Sequence, residues 1–289
     1  MRFALSLPLL LTFGCGTPAN VEGDEPGECT DAADNDADGA FDCDDSDCAG
    51  SPDCGGDTAD TGGGDTGGLP DQDPVCTEPV DPPCIDEMMQ ELGMQDDKVS
   101  SGEVTTTSDG ADFVTLVDAT AGGMSASSKN PWTYIKFTQT GAERVDINDD
   151  DSLSDMTWAF GIKRVNIRLN SGDSGPSCVG VHKVTGKDYA AVTVDDIKGK
   201  FETENFYDDS CNLSVDPIGD PETAMIEWWT YVSCVETTMV PWLVQLEDGH
   251  VLKVVVETYY AGEGQDECNT GGSTREEGGW VQLRWQYLK

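Results

Sequence analysis

Apolar and polar residues alternate with a period of two along several short stretches after residue 97. The clearest alternation covers residues 158–169, where a basic pair, Lys163 and Arg164, interrupts it once. A period of two predicts a β-strand with one buried face, and Arg168 is then expected on the polar face. The turn residues at 170–175 end this strand. Its apolar positions are Trp158, Phe160, Ile162, Val165, Ile167 and Leu169.

Further stretches follow the same pattern, and turn clusters separate them. Asp248 and Gly249 form a tight hairpin signal between two of them. Many short strands with little helix predict an all-β, antiparallel domain over residues 97–289. The pattern leaves a sandwich and a partly open barrel as alternatives. The other predicted strands are residues 112–118, 132–138, 191–194, 226–235, 242–246, 251–260 and 280–288.

Composition divides the chain before residue 97 into short segments. Residues 55–75 are almost free of apolar side chains, so they cannot bury enough surface to offset the entropy of ordering and are predicted to form a flexible linker. Residues 76–96 contain two cysteines and a predicted helix over 85–93, which Gly93 is suited to end. The apolar positions that recur at helical spacing are Ile85, Met88, Met89 and Leu92, and the two methionines are expected to pack in the core.

Residues 1–14 are typical of a lipoprotein signal peptide. Their apolar run, residues 3–13, is too short to span a bilayer as a helix. Gly14 and Cys15 follow it directly, and this order resembles a lipobox, in which a small residue precedes the lipidated cysteine. Cys15 is therefore the predicted lipidation site.

The segment after Cys15 is predicted to be a tether over residues 15–28. Residue 16 is Gly rather than Asp, and in this respect the chain resembles lipoproteins that are passed on to the outer membrane of Gram-negative cells. The sequence leaves open whether it faces the surface or the periplasm. The alternative is an ordinary signal peptidase site near Gly16 or Ala19.

Charge limits the classes of partner. The chain has 56 acidic and 16 basic residues, which gives a formal net charge of −40. A field of this sign repels nucleic acid and anionic lipid headgroups, so neither is expected as a partner. It favours cations, and it also favours solubility outside the cell.

The cysteine count supports export. Besides Cys15 there are ten cysteines, and an even number in an exported chain predicts disulfides. The sequence leaves their connectivity open. Zinc is disfavoured because the spacing does not match paired knuckles and the chain has two histidines, His182 and His250.

The sharpest metal motif lies in the Asp- and Cys-rich residues 29–54. Oxygen-bearing residues recur at the spacing of a calcium loop, and Gly39 permits its sharp turn. Because cysteines surround it and flanking helices are not evident, the segment resembles thrombospondin type 3 repeats. An unstructured acidic tether is the alternative. The predicted calcium ligands are Asp34, Asp36, Asp38, Asp42 and Asp45, with the carbonyl oxygen of Ala40.

Residues 172–175 resemble the nucleophile loop of chymotrypsin-like serine proteases. That fold orders its triad His, Asp, Ser along the chain, and no histidine precedes Ser174. We therefore expect a turn at this position rather than a nucleophile. No phosphate-binding glycine motif stands out either, and the sequence predicts a protein that is not an enzyme.

Three spaced blocks resemble the HmuY family of bacterial surface lipoproteins. The first is the Trp158 stretch with its basic pair, alternating strand and Asn-Ser-Gly turn. The second, residues 244–260, has a strand, the Asp-Gly turn and a strand ending in paired tyrosines. The third, residues 278–287, is similar to the family's closing strand. The resemblance covers residues 97–289 and implies the family's best-studied activity, haem capture at the cell surface.

The resemblance also implies where haem ligands lie. In the family, two ligands, His or Met, reach from loops on either side of the porphyrin, and the second lies shortly before the strand that leads into the Asp-Gly hairpin. Met239 occupies that position and is the leading candidate for an axial ligand. His182 is the first alternative, and Met225 and Tyr207 are weaker candidates. His250 follows the hairpin glycine and is expected to be exposed.

Two classes of function follow. The first is an exported, non-catalytic protein that binds haem or a related porphyrin. The second is a non-catalytic surface protein that contacts another macromolecule or contributes to envelope structure. The family resemblance favours the first class. The second is favoured because the chain lacks an obvious His pair and because core packing would also account for Met239.

Overall fold

The computed structural model describes residues 69–289 together with Cys29 and Cys48. The chain divides into two compact units, Met1–Gly67 and Gly68–Lys289. Among the described residues, no helix is both long enough and apolar enough to cross a membrane.

In the first unit, Cys29 and Cys48 form a disulfide with a sequence separation of 19 residues. The other predictions made for this unit lie outside the described residues. They are the signal peptide, the lipidation site Cys15, the tether, the calcium ligands, the thrombospondin-like segment and the flexible linker up to residue 68, as well as Cys43 and Cys54.

The described part of the second unit contains twelve strands and two short α-helices. The helices are α1 (Ile85–Glu91) and α2 (Gly264–Asn269). The strands are β1 (Val104–Asp109), β2 (Asp112–Asp118), β3 (Thr133–Thr138), β4 (Gly141–Val145), β5 (Phe160–Lys163), β6 (Asn166–Leu169), β7 (Gly180–Lys183), β8 (Trp229–Tyr231), β9 (Val235–Thr237), β10 (Trp242–Gln245), β11 (Val251–Tyr260) and β12 (Gly278–Tyr287).

Two open antiparallel sheets pack on a common core. Their strand orders are β1-β2-β12-β11-β10-β7 and β4-β3-β5-β6, and β8 and β9 form a separate ribbon. Phe137 of the smaller sheet and Trp285 of the larger one meet with ring centroids 4.9 Å apart. The predicted all-β class is confirmed, and neither sheet closes into a barrel.

The predicted lead-in helix forms, and it ends at Glu91 rather than at residue 93. Gly93 follows it with a φ of 56°, a left-handed conformation that commonly terminates helices. Met88 is fully buried, as expected for a core position. It belongs to a second buried cluster, with Trp132 and Trp158, on the outer side of the smaller sheet.

Disulfides attach the lead-in to the sheets. Cys76 pairs with Cys178 and Cys84 pairs with Cys211, while Cys234 and Cys268 link the β8–β9 ribbon to α2. The chain before Cys76 also contacts the domain, because the Val75 N–H donates to the Glu247 carbonyl at 2.7 Å. The connectivity that the sequence left open is thus defined for these six cysteines.

The prediction of a single strand over residues 158–169 is wrong in one respect. The structure divides it into β5 and β6, which pair antiparallel with Lys163 opposite Asn166. Arg164 and Val165 form the connecting turn, and Arg164 has a φ of 55°. The basic pair that interrupts the alternation is therefore the tip of a hairpin.

Two other predicted strands are also corrected. Residues 191–194 join two 3₁₀ turns, Tyr189–Ala191 and Val194–Asp196, and Thr193 starts the second in a reciprocal capping box with Asp196. Residues 226–235 begin with a 3₁₀ turn, Ile226–Trp228, before β8. Strands β1, β4, β7 and β9 and helix α2 were not predicted.

Arg168 is fully buried, whereas the alternation placed it on the polar face. Its Nη1 donates to the Ser174 carbonyl at 2.7 Å, and its Nη2 donates to Ser152 Oγ at 2.8 Å and to the Tyr134 hydroxyl. The lead-in covers this side of the sheet, so β6 is buried on both faces. The three aromatic rings within 5.0–5.3 Å of the guanidinium carbon belong to Trp132, Tyr134 and Trp158.

A second buried charged group fastens a loop to β6. The two carboxylate oxygens of Glu204 accept the backbone N–H groups of Leu169 and Ala224, each at 2.8 Å. Burial raises the pKa of Glu204 from 4.5 to about 7, although these two hydrogen bonds oppose the rise.

This pKa predicts a pH-dependent stability. Because the native state holds the Glu204 proton more tightly than the unfolded chain, its contribution is complete below pH 4.5 and is lost as pH rises through about 7. The loss should reach about 3 kcal/mol. Chemical denaturation between pH 4.5 and 8 should show a smaller decline for Glu204→Gln than for wild type. The exposed Glu202→Gln serves as the control, and equal slopes in all three proteins would contradict the assignment.

Candidate functional site

A cleft of about 860 Å³ lies where the β5–β6 turn meets the β8–β9 ribbon and the end of β11. This volume falls within the range of about 300–1,000 Å³ that is usual for small-molecule sites. Segments from across the second unit contribute to its walls. They are residues 90–93, 123–128, 163–166, 218–221, 229–235, 259–260 and 274–278, and Trp132 also lines it.

The hairpin tip supplies two cations to this cleft. Lys163 Nζ donates to the carbonyl oxygens of Leu92 and Gly93, at 3.3 and 2.9 Å. Arg164 Nη1 donates to the Gly278 carbonyl at 2.5 Å. The two side chains therefore bridge from β5 to the end of α1 on one wall and to the start of β12 on another.

Paired tyrosines line the wall beside the hairpin. Consecutive residues of a regular strand point to opposite faces, yet Tyr259 and Tyr260 both line the cleft. The β11–β12 register shifts between Thr258 and Tyr260, and such irregularities redirect side chains. The Tyr259 ring lies 5.6 Å from the Arg164 guanidinium carbon. A Cβ on Gly278 would meet this ring at 2.4 Å, so the wall depends on glycine there.

Apolar side chains at the cleft are unusually exposed. Met124 is 80% exposed, Ile218 58% and Tyr231 56%. Trp229 is buried in the same lining, and its indole N–H lacks a hydrogen-bond partner within residues 69–289. A cleft with exposed apolar groups and an unsatisfied buried donor has the chemistry of a binding site for an amphipathic ligand.

Acidic groups also occur in the lining. Glu91 accepts a hydrogen bond from the Tyr207 hydroxyl at 3.1 Å, and Asp220 accepts one from Asn166 at 3.1 Å. Burial raises the pKa of Asp220 above its ordinary value. Glu276 and Glu277 are exposed. Two of the four acids are thus engaged by neutral donors, and the other two face solvent.

The two leading ligand candidates lie outside the cleft, on or next to the paired strands β7 and β10. Met239 lies in the turn between β9 and β10, is 46% exposed and has a φ of 55°. His182 lies on β7, opposite Leu243 of β10. Neither side chain lines the cleft. Met239 comes two residues after Thr237, which pairs with the cleft residue Trp229. Their role as ligands stays a prediction.

The weaker candidates for a haem ligand, Met225 and Tyr207, are less exposed than Met239. Met225 is fully buried in the main core, and Tyr207 is 7% exposed with its hydroxyl bonded to Glu91. His250, expected to be exposed, is 9% exposed, and its Nδ1 lies 2.9 Å from an Asp248 carboxylate oxygen. That prediction was wrong because the Tyr287 ring packs against the imidazole, with centroids 5.6 Å apart.

The Gly-Asp-Ser-Gly segment is a buried turn. Ser174 is fully buried, and its carbonyl and hydroxyl oxygens both lie within hydrogen-bond distance of Arg168, at 2.7 and 3.3 Å. The residues serve the packing around that guanidinium. Within residues 69–289, no group of three or more His, Cys, Asp or Glu side chains is arranged to hold a metal ion.

Several cleft residues were not identified as a site from sequence. The basic pair was noticed as an interruption, and the paired tyrosines as part of a family pattern, but nothing placed them side by side. Met124 lies between two predicted strands, and no sequence pattern marks it as a site residue. The unsatisfied indole of Trp229 depends on packing and has no sequence signature.

Comparison with solved structures yields similar folds at low identity. A chain described as a HmuY-like heme binding protein from Bacteroides vulgatus is 15% identical with a TM-score of 0.41, covering 64% of this chain and 97% of that chain. An apo HmuY analogue from Tannerella forsythia is 13% identical with a TM-score of 0.39, covering 67% and 100%. A chain described as a lipoprotein from Bacteroides fragilis is 15% identical with a TM-score of 0.36, covering 64% and 94%.

The resemblance predicted from sequence is confirmed, in that HmuY-like chains are among the solved structures similar to this one. At these identities and TM-scores the similarity carries no argument about ligand or activity. No family model matches the chain, and no curated protein matches it.

Proposed function

We propose that the second unit is a non-catalytic binding domain for haem or a related porphyrin, carried by an envelope lipoprotein. The observation that carries the proposal is the cleft, in which aromatic walls and two cations occur together. A porphyrin is a flat aromatic ring with carboxylates on one edge. Aromatic side chains can stack on such a ring while cations pair with its carboxylates.

The cleft residues fit this group on chemical grounds. Tyr231 and Tyr260 present exposed or partly exposed rings at the cleft, while Trp132 and Tyr259 line it as buried rings. The Trp229 N–H is a donor without a partner within residues 69–289. The sequence resemblance to the HmuY family supports the same ligand class independently of the cleft.

Haem iron takes Met, His, Tyr or Cys ligands from proteins. Among the cleft-lining residues, Met124 offers an exposed thioether and Tyr231 an exposed phenol. We take Met124 as the ligand candidate that follows from the cleft. Met239, with His182 as its first alternative, remains the candidate that follows from the sequence. Bound haem would supply iron that this chain's side chains ligate, and the protein holds it without changing it.

The exposed apolar groups favour one other function. Ile218, Tyr231 and Val232 are 58%, 56% and 69% exposed, and a patch of this kind also suits contact with another macromolecule at the envelope. The domain would then be a non-catalytic surface protein with no haem. A spectroscopic titration separates the two functions.

Haemin added to the purified domain should produce a saturable Soret change. A thioether is a soft ligand that favours ferrous iron, so binding should be tighter after reduction. Met124→Ala should shift or abolish the reduced spectrum if iron is bound in the cleft, whereas Met239→Ala should do so if the sequence-based assignment holds. His250→Ala is the control and should leave the spectrum unchanged. No saturable change for wild type in either redox state would reject haem binding and leave the surface-protein function.

The proposed lipid anchor has a direct test. The apolar run that ends at Gly14-Cys15 supports lipidation of Cys15. Cys15→Ser should move the protein from the membrane fraction to the soluble fraction in the cells that make it. Full membrane retention of Cys15→Ser would refute the anchor.

The proposed calcium segment is tested on residues 29–54 within the intact exported chain. Calorimetry should detect one calcium ion with an affinity on the order of 10⁻⁴–10⁻³ M, as for other extracellular modules. Asp36→Ala and Asp38→Ala should each abolish the heat. Asp57→Ala removes an equal charge from the linker and should not. An absence of heat at millimolar calcium would exclude the site.

A further inference from the structure

Lys163 and Arg164 are cations without a carboxylate partner in a strongly acidic chain. The protein has 56 acidic and 16 basic residues. The lysines and arginines that form ion pairs within residues 69–289 are Lys136, Arg144, Lys183, Lys187 and Arg284. Within residues 69–289 the two cleft cations form none. Lys163 donates to backbone carbonyls, and Arg164 donates to the Gly278 carbonyl and hydrogen-bonds the Tyr259 hydroxyl.

Both cations have N–H donors that are not used in hydrogen bonds within the part of the chain that the structure describes. An ammonium has three N–H donors, and Lys163 uses two of them on the end of α1. A guanidinium has five, and Arg164 donates to the Gly278 carbonyl and hydrogen-bonds the Tyr259 hydroxyl. Arg164 is partly exposed and offers its remaining N–H groups to an acceptor that enters the cleft, while Lys163 is 5% exposed and lines the same cleft.

The backbone holds the tip in position. Arg164 has a left-handed φ of 55°, which L-residues rarely adopt, and its N–H donates to the Ala119 carbonyl at 2.8 Å. Unusual backbone conformations of this kind cluster at ligand-binding positions. Two adjacent cations on a supported tight turn form a fixed anion-binding pair rather than two flexible surface charges.

We propose that Lys163 and Arg164 anchor the carboxylates of the planar tetrapyrrole bound in the cleft. The inference rests on the proposed function and names the part of the ligand that this protein recognises. Arg164 binds a carboxylate through its free N–H groups, Lys163 contributes its third N–H, and the unsatisfied Trp229 indole lines the same cleft. A tetrapyrrole whose carboxylates are esterified lacks the acceptors that carry the charge.

The pair should also make binding depend on pH. Burial, against the opposing charge of Asp149 and with a smaller contribution from Arg168, lowers the pKa of Lys163 to about 8. The other charged groups of the cleft are Glu91 on α1, Arg164 beside it, Asp220, and the exposed Glu276 and Glu277. As pH rises through about 8, Lys163 loses its proton and with it the attraction for a carboxylate. Affinity for a carboxylated tetrapyrrole should therefore fall between pH 7 and pH 9.

The test uses protoporphyrin IX and its dimethyl ester, which share one ring and contain no iron. Binding is followed by quenching of tryptophan fluorescence in the full chain. Wild type should prefer the free acid, and Arg164→Gln should weaken that binding about tenfold, the size of one lost charge-assisted hydrogen bond. Arg164→Lys should retain part of the affinity. Lys163→Arg keeps its charge at all these pH values and should remove the decline between pH 7 and 9.

Lys136→Gln is the matched control, because Lys136 carries the same charge on β3 but does not line the cleft. Its affinity and pH profile should equal those of wild type. Equal binding of acid and ester, unchanged by Arg164→Gln, would overturn the anchor and leave porphyrin binding standing. Failure of wild type to bind haemin, the acid or the ester would overturn both. Thermal unfolding of each variant identifies one that has lost its fold, and Arg164→Lys then decides the result.

Discussion

The buried guanidinium of Arg168 is the interaction on which the smaller sheet and its covering layer depend. It joins β6 to β3 through the Tyr134 hydroxyl and to the 174 loop through the Ser174 carbonyl. It also contacts the Met88 sulfur of α1 at 3.7 Å. A charge buried this deeply is tolerated only while its hydrogen-bond partners remain, since removal of any one leaves a buried donor unsatisfied. The network therefore specifies where the lead-in helix packs as well as how β5 and β6 lie.

Tyr134 extends this network to a carboxylate. Its hydroxyl lies between Arg168 and Asp149, donating to the latter at 2.8 Å. Burial raises the pKa of Asp149, while the guanidinium and the hydrogen bonds from Gln95, Trp132 and Tyr134 oppose the rise. Arginine and aspartate are thus coupled through a phenol rather than by direct contact. The hairpin tip is four residues from Arg168 along the chain, so the position of Lys163 and Arg164 follows from this buried layer.

The sequence predicted the regular part of the molecule well and the site poorly. Strands such as β3, β10 and β11 alternate or run apolar between clear turn signals, which is why their existence could be predicted. β1 consists mainly of Thr and Ser, and it is ordered by pairing with β2 and by the bond from Thr106 to the Ala142 carbonyl. Arg168 was placed on a polar face because periodicity cannot tell that another layer covers that face. The cleft depends on a hairpin tip, a register shift and a covalently tied ribbon, none of which has a periodic signal.

The disulfide between Cys76 and Cys178 has a consequence for mechanics. It encloses a loop with a sequence separation of 102 residues, which contains α1 and strands β1 to β6. If the chain is pulled from its N-terminal side against its C-terminal end, tension that arrives at Cys76 passes through the bridge to Cys178 or along residues 77–84 and the Cys84–Cys211 bridge. Residues 85–177 lie off both paths, so the buried layer around the guanidinium stays unstretched. Shear on the envelope would be carried by the later strands, while the smaller sheet with its hairpin tip is protected covalently.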